Sequence, residues 1–528
     1  MSKHPKNPDI KKIGTPHKIS PEIFENFLTT LENLVEEPSL LAGISQKERI
    51  RLMKATGRLS HPTAEDNRKI ARAGRKLKKE KRRILDREAR NTAGIREARQ
   101  NTVFVAPHQL LTQAPPLPAE RKKLTNPRNC YVCKVLYSEI HPFYDSMCPD
   151  CGDLNYKKRF QSASLEGRTA LVTGGRVKIG YQTSLKLLRA GARTIVCTRF
   201  PNDSALRFSR EEDFSVWKNR LQIYGLDLRH SPSVEMFARY LANTEERLDI
   251  LVNNAAQTVR KPPGFYRHLM EFESKAVHEL SPELRPLLAG YEALNRTLES
   301  KRLSSADPNI ENTLLKNWPE KNPAIGIHAS AKLSMIPYNF DEETQTGLEV
   351  FPEGKLDADL QQVDLRSRNT WRLTLHEVAT AEMLEVHLVN AVAPFILAAK
   401  LKPLMLRHTT GEQHIVNASA MEGKFTRWTK TDKHPHTNMA KAALNMMTLT
   451  AAPDFAKSKI YMNAVDTGWI TDEDPAHLSA AKKEMHDFEP PLDIVDGAAR
   501  LLDPVFLGLL TGEHIWGKFL KDYKPTEW

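Results

Sequence analysis

Five cysteines in 528 residues are too few for a disulfide scaffold. Four of them stand in two close pairs, which in a reducing compartment points to metal ligation. The chain has no run of the roughly 18 uninterrupted apolar residues that a spanning helix requires, which argues against a membrane protein. Met1 to Ser20 is polar and rich in Pro and Lys, with no apolar segment of the signal-peptide kind, so a cytoplasmic location is expected. Aromatic residues are 7% of the chain, and none lies between Arg68 and Arg99. What remains is a foldable composition, 40% hydrophobic with a net charge of +12, long enough for about three to four domains.

The chain divides by composition. Residues 1–127 read as a helical, basic extension closed by a linker containing Pro107, Pro115, Pro116, Pro118 and Pro127. Within it, Phe24, Phe27, Leu28, Leu31 and Leu34 recur at helical spacing. From Arg68 to Arg99 a dense run of Arg and Lys faces only Glu80, Asp86, Glu88 and Glu97. The favoured reading of that run is an extended, solvated helix, with contact to nucleic acid as the second reading.

Residues 128–160 form a cysteine module. Cys130 and Cys133, then fourteen residues, then Cys148 and Cys151 give four thiolates in the spacing of a closed tetrahedral site, so structural Zn2+ is expected. His141 reads as a surface residue, because four sulfurs already complete the shell.

From Leu165 to the end, short apolar runs alternate with amphipathic helices. Ala170 to Val172, Thr194 to Val196, Ile250 to Val252 and Ile415 to Val416 read as buried strands of a parallel sheet, an α/β doubly wound fold. An interval at about 259–369 breaks the rhythm and reads as an insertion over one sheet edge, roofing the substrate pocket.

After the first of these strands comes Thr173-Gly174-Gly175-Arg176-Val177-Lys178-Ile179-Gly180, a glycine turn opening a helix. Such a turn lets the backbone approach a pyrophosphate at a helix N-terminus. With Asp227-Leu228 after the third strand, Asn253-Asn254-Ala255-Ala256, Asn390, and Asn463-Ala464-Val465 followed by Thr467-Gly468 and Thr471, the chain resembles the short-chain dehydrogenase/reductase family. The resemblance implies a Rossmann-type domain over 165–528 and an oxidoreductase acting on a carbonyl or alcohol. It implies dinucleotide contacts from Thr173, Gly174, Arg176, Lys178, Ile179, Gly180, Arg199, Asp227, Leu228, Asn253, Ala255, Lys441 and Thr467. Homo-oligomers built through helices near Lys441 are a further implication.

Two departures bear on chemistry. The family's second fingerprint glycine is Lys178 here, and the second strand ends Cys197-Thr198-Arg199 with no carboxylate to repel a 2′-phosphate; with Arg176, Lys178 and Arg199 nearby, NADP(H) is favoured over NAD(H). The family's catalytic tyrosine, four residues before Lys441, is Thr437, and its serine falls on Ala420 beside Ser419. Lys441, Asn390, Thr437, His436 and Ser419 are therefore the candidate catalytic residues, with Thr437 or His436 addressing the substrate oxygen. A tyrosine of the insertion such as Tyr338 could fold over the pocket. The alternatives are a non-catalytic NADP-binding sensor or scaffold, and a nucleic-acid-associated protein built on the cysteine module and basic helix.

Overall fold

The structure is a computed structural model that describes residues 20–528 except 102, 106, 108, 109, 112, 119, 304–323, 339–346, 409, 428 and 429. Residues 1–19, and Pro308, Pro319 and Pro323 of the insertion, lie outside the described residues. The chain forms two compact units, Met1–Arg83 and Ile84–Trp528. In the described part of the first, Pro21–Glu36 is a helix capped by Ser20, whose Oγ accepts the Ile23 N–H. Gln46–Ser60 and the start of the helix Ala64–Asn91 follow. None of its described side chains is buried.

The second unit is a layered α/β body. A small antiparallel pair, β1 (Lys123–Asn129) and β2 (Leu136–Glu139), belongs to the cysteine module. The main sheet comprises β3 (Thr169–Thr173), β4 (Arg193–Thr198), β5 (Leu221–Gly225), β6 (Ile250–Asn253), β7 (Gln413–Ser419), β8 (Ile460–Asp466), β9 (Phe519–Lys521) and β10 (Lys524–Thr526). Its order is β10-β9-β8-β7-β6-β3-β4-β5, all parallel except β10. Strand side chains alternate between two buried faces. Leu171 and Leu251 pack with Leu397, Leu401 and Phe237, while Ala170, Val172, Ile250 and Val252 pack with Leu501, Leu502 and Phe506. Burial on both faces is why these strands read as unbroken apolar runs.

The insertion covers the β5 edge. Tyr291, on the helix Arg285–Leu303, packs so closely that a Cβ on Gly225 would lie 2.6 Å from its ring. Among the described residues, Thr380–Met405 has the length and hydropathy of a membrane span, but Leu397, Leu401 and Leu404 lie in the sheet's core.

The basic run departs from its expected form at its end. Arg90 and Arg96 are buried, not solvated, because carboxylates far along the chain meet them. Arg96 Nε donates to Asp145 at 2.7 Å and its Nη1 to Asp487 at 2.8 Å, while Arg90 also pairs with Asp487. Arg99 donates to the carbonyls of Pro490 and Leu492. His141 is likewise buried rather than superficial, its Nδ1 accepting the N–H groups of Phe143 and Tyr144. Removing one partner of a buried ion pair leaves the other charge stranded. Asp145→Ala is therefore expected to cost about 3–5 kcal/mol, whereas Glu65→Ala, which breaks the exposed Lys69–Glu65 pair, changes stability by less than about 1 kcal/mol. Thermal and denaturant unfolding of the two variants measure the contrast.

Candidate active-site cleft

A cleft of about 1500 Å3 runs along the carboxyl ends of β3 to β8, ample for a dinucleotide with a substrate beside it. Its floor is the turn between β3 and the helix Lys178–Arg189. Gly174 has φ +68, and a Cβ there would sit 3.0 Å from Ala255; a Cβ on Gly180 would lie 2.3 Å from the Gly174 carbonyl. Thr173 Oγ1 accepts the N–H groups of Asn254 and Ala255 at 3.0 Å, and Asn254 Nδ2 returns a bond to the Thr173 carbonyl at 3.0 Å. Asn254, which sequence reasoning passed over in favour of Asn253, thus latches the turn. Asn253 instead donates to Asn417 Oδ1 at 2.8 Å, tying β6 to β7. Lys178 takes the left-handed conformation, φ +55, at the family's glycine position. Burial works against its ammonium, but Glu473, Asp359 and Asp357 outweigh it and hold its pKa above the ordinary lysine value.

At the other end, Arg199 follows β4 and donates to Ser334 Oγ at 3.0 Å and Tyr266 Oη at 2.8 Å, both from the insertion. The insertion therefore reaches the cleft beside β4, and its Asp357, Gln361 and Asp364 line the cleft as well. Arg176 also lines it but pairs with Asp203 at 2.6 Å. Asp227 is fully buried and clamped by Arg229, and Leu228 lies beside it on the cleft wall.

The helix Pro435–Lys457 carries the family lysine. Lys441 Nζ donates to the Ala418 carbonyl at 2.7 Å, and burial pulls its pKa down to about 8. Thr437 and His436 do not line the cleft; Asn438, three residues before Lys441 and on its face, does. His436 turns behind the helix, its Nε2 3.8 Å from Glu382 Oε1. Burial lowers His436 to about 4 and raises Glu382 to about 7, so both are neutral between those values. Ser419 lies on the cleft with its Oγ donating to Asn445 at 2.5 Å. Asn390, in a π-helical turn, bonds both the N–H and the carbonyl of Gln257 and so braces the loop after β6. Tyr338 bonds Glu385 and stacks on Arg260; it is not part of the cleft wall.

The cysteine module brings its four sulfurs within 4.8 Å of one another, Cys133 and Cys148 being 3.7 Å apart. A tetrahedron of zinc–sulfur bonds near 2.3 Å has edges of about 3.8 Å, so the set fits that ion. Two residues of the module, Tyr131 and Lys134, line the cleft, and Tyr131 Oη accepts the Trp469 N–H at 3.0 Å. No periodicity or spacing in the sequence pointed to this contact.

The short chain dehydrogenase profile covers residues 168–278, and that of enoyl-(acyl carrier protein) reductase covers 358–491. The chain belongs to the short-chain dehydrogenase/reductase family. An uncharacterized protein, R665, of Acanthamoeba polyphaga mimivirus is 29% identical over 395 residues, 73% of this chain and 72% of that one. A rhamnolipids biosynthesis 3-oxoacyl-[acyl-carrier-protein] reductase of Pseudomonas aeruginosa is 27% identical over 281 residues, 51% of this chain and 87% of the relative. The Pseudomonas aeruginosa RhlG/NADP active-site complex superposes with a TM-score of 0.39 at 18% identity, covering 68% of this chain and 95% of that one. As a short-chain dehydrogenase/reductase, this chain keeps the glycine turn and the lysine, and carries Thr437 and Ala420 at the family's tyrosine and serine positions.

The pair behind the lysine helix has a pH signature. The folded pKa of Glu382 lies above its unfolded value, so the stability tied to its neutral form is complete below about 4.5 and is lost as pH rises through about 7. Glu382→Gln, neutral throughout, is expected to gain roughly 1–3 kcal/mol relative to the native protein between pH 5 and pH 8. Denaturant unfolding at the two pH values measures it, and a pH-independent difference would contradict the assignment.

Proposed function

We propose that this short-chain dehydrogenase/reductase uses NADP(H) to interconvert a carbonyl and an alcohol on a small molecule. The observation that carries the reading is Arg199: it follows β4 inside the cleft, its hydrogen-bond partners Ser334 and Tyr266 are neutral, and Asp227, the carboxylate that feels its charge, is already paired with Arg229. A guanidinium so placed suits a 2′-phosphate, whereas Arg176 already has Asp203 as its counter-charge. The backbone of Gly174, Ile179 and Gly180 would cradle the pyrophosphate at the helix N-terminus, with Asn254 fixing the turn. When bound, the dinucleotide supplies or accepts the hydride. Lys441 would hold the ribose next to it, and Asn438 and Ser419 would orient the substrate oxygen. The reductase name of the Pseudomonas relative supports carbonyl chemistry. Zinc would be held by Cys130, Cys133, Cys148 and Cys151 as a closed structural site.

A second reading, an NADP-binding protein without turnover, draws support from the absence of Thr437 and His436 from the cleft wall. Turnover of NADPH with a panel of ketones and aldehydes separates the two.

On the first reading NADPH binds at least about tenfold more tightly than NADH, and Arg199→Leu erases the difference, as a charge-assisted bond of about 1.5–3 kcal/mol requires. Fluorescence titration measures both, and equal affinities in the native protein would overturn the assignment.

A further inference from the structure

The cysteine module does not hang from the domain. Its core of Tyr137, Ile140, Phe143, Tyr144 and Met147 is continuous with Ile470 and Leu492, and Ile179 packs against it. Ile179 belongs to the phosphate turn, and Ile470 to the turn after β8. The two isoleucines meet at Gly497, where a Cβ would lie 2.5 Å from Ile470 Cδ1 and 2.9 Å from Ile179 Cγ1. So tight a junction transmits displacement rather than absorbing it.

Tyr131 makes the polar half of this link. It lies inside the first cysteine pair, its own N–H held by the Ser146 carbonyl at 2.8 Å. Its ring projects to the cleft and carries Lys521 over one face at 5.6 Å. The phenol oxygen accepts the Trp469 N–H, and Gly468, at φ +82, leaves room for that approach: a Cβ there would lie 3.3 Å from the same oxygen. Tyr266, the other phenol on the cleft wall among the described residues, is committed to Arg199 at the far end. Beside the Gly468–Trp469 turn, the phenol on the cleft wall therefore comes from the cysteine module.

We propose that the cysteine module is a working part of the cleft: Tyr131 is a positioning residue that fixes the Gly468–Trp469 turn, and metal occupancy of the four cysteines is thereby linked to dinucleotide affinity. The linkage follows from a shared element. A thiolate cluster without its ion loosens the Cys130–Cys133 turn that aims Tyr131, and what loosens the Gly468–Trp469 turn weakens whatever the turn holds. The affinity arm rests on the dinucleotide reading above, whereas the Tyr131–Trp469 arm does not.

The test uses the zinc-loaded full chain, its Tyr131→Phe variant, and the native chain stripped of zinc by a chelator. Amide hydrogen exchange over residues 466–471, bound zinc and NADPH titration are read together. Tyr131→Phe is expected to keep one zinc per chain and normal protection elsewhere in the module. It should speed exchange of the Trp469 amide at least tenfold and weaken NADPH binding about two- to tenfold, the loss of one hydrogen bond. Zinc removal should produce the same two changes in the native chain. Unchanged exchange at Trp469 in Tyr131→Phe would overturn the positioning role. Zinc-free protein that binds NADPH as tightly as the loaded form would overturn the linkage. If the native chain binds no NADPH at all while Trp469 exchange still responds to Tyr131→Phe, the dinucleotide reading fails and the positioning role stands.

Discussion

The close approach of the Thr173–Gly180 turn to the loop after β6 sets the geometry of everything around the cleft. Thr173, Asn254 and Ala255 are joined by hydrogen bonds near 3.0 Å, and neither Gly174 nor Gly180 has space for a side chain. With the turn fixed there, Lys178, Ile179 and Gly180 at the start of the following helix line the cleft, and a helix N-terminus favours a polyanion. Asn390 reaches the same loop from the other side through Gln257, so one brace serves both ends of the site.

Charge is distributed along the cleft with a consistent logic. Arg176 and Arg229 are neutralised by Asp203 and Asp227, while Arg199 is held by neutral hydroxyls. Lys178, standing where the family has glycine, is balanced by Glu473 and two aspartates of the insertion. The lysine helix keeps Lys441, whose pKa burial pulls down to about 8. The helix face beside it is amide rather than acid, since Asn438 faces the cleft and Thr437 does not. The glycine turn and Lys441 stand at the family's positions, whereas Thr437 and Ala420 replace its tyrosine and serine.

The parallel strands were legible because burial on both faces leaves unbroken apolar runs such as Ala170 to Val172 and Ile250 to Val252. The phosphate turn and the four cysteines were legible because their spacing is local. Long-range pairing was not. Nothing near Arg90 or Arg96 in the chain announces Asp145 or Asp487, so a buried ion network read as a solvated helix. Nothing near Tyr131 announces Trp469. His436 lay within one helical step of the catalytic register, yet that step turns it to the rear of the helix and Glu382. The insertion's role at Arg199 depends on Tyr266 and Ser334, which only the folded chain brings to β4.

The account stands on a dinucleotide phosphate occupying the turn at Gly174 to Gly180. Equilibrium dialysis of the zinc-loaded chain against NADP+ tests it most directly. The account predicts one dinucleotide per chain, half-saturated somewhere below about 1 mM, the upper end of ordinary substrate affinities. No retention at several millimolar, by protein shown to be folded and carrying its metal, would contradict it.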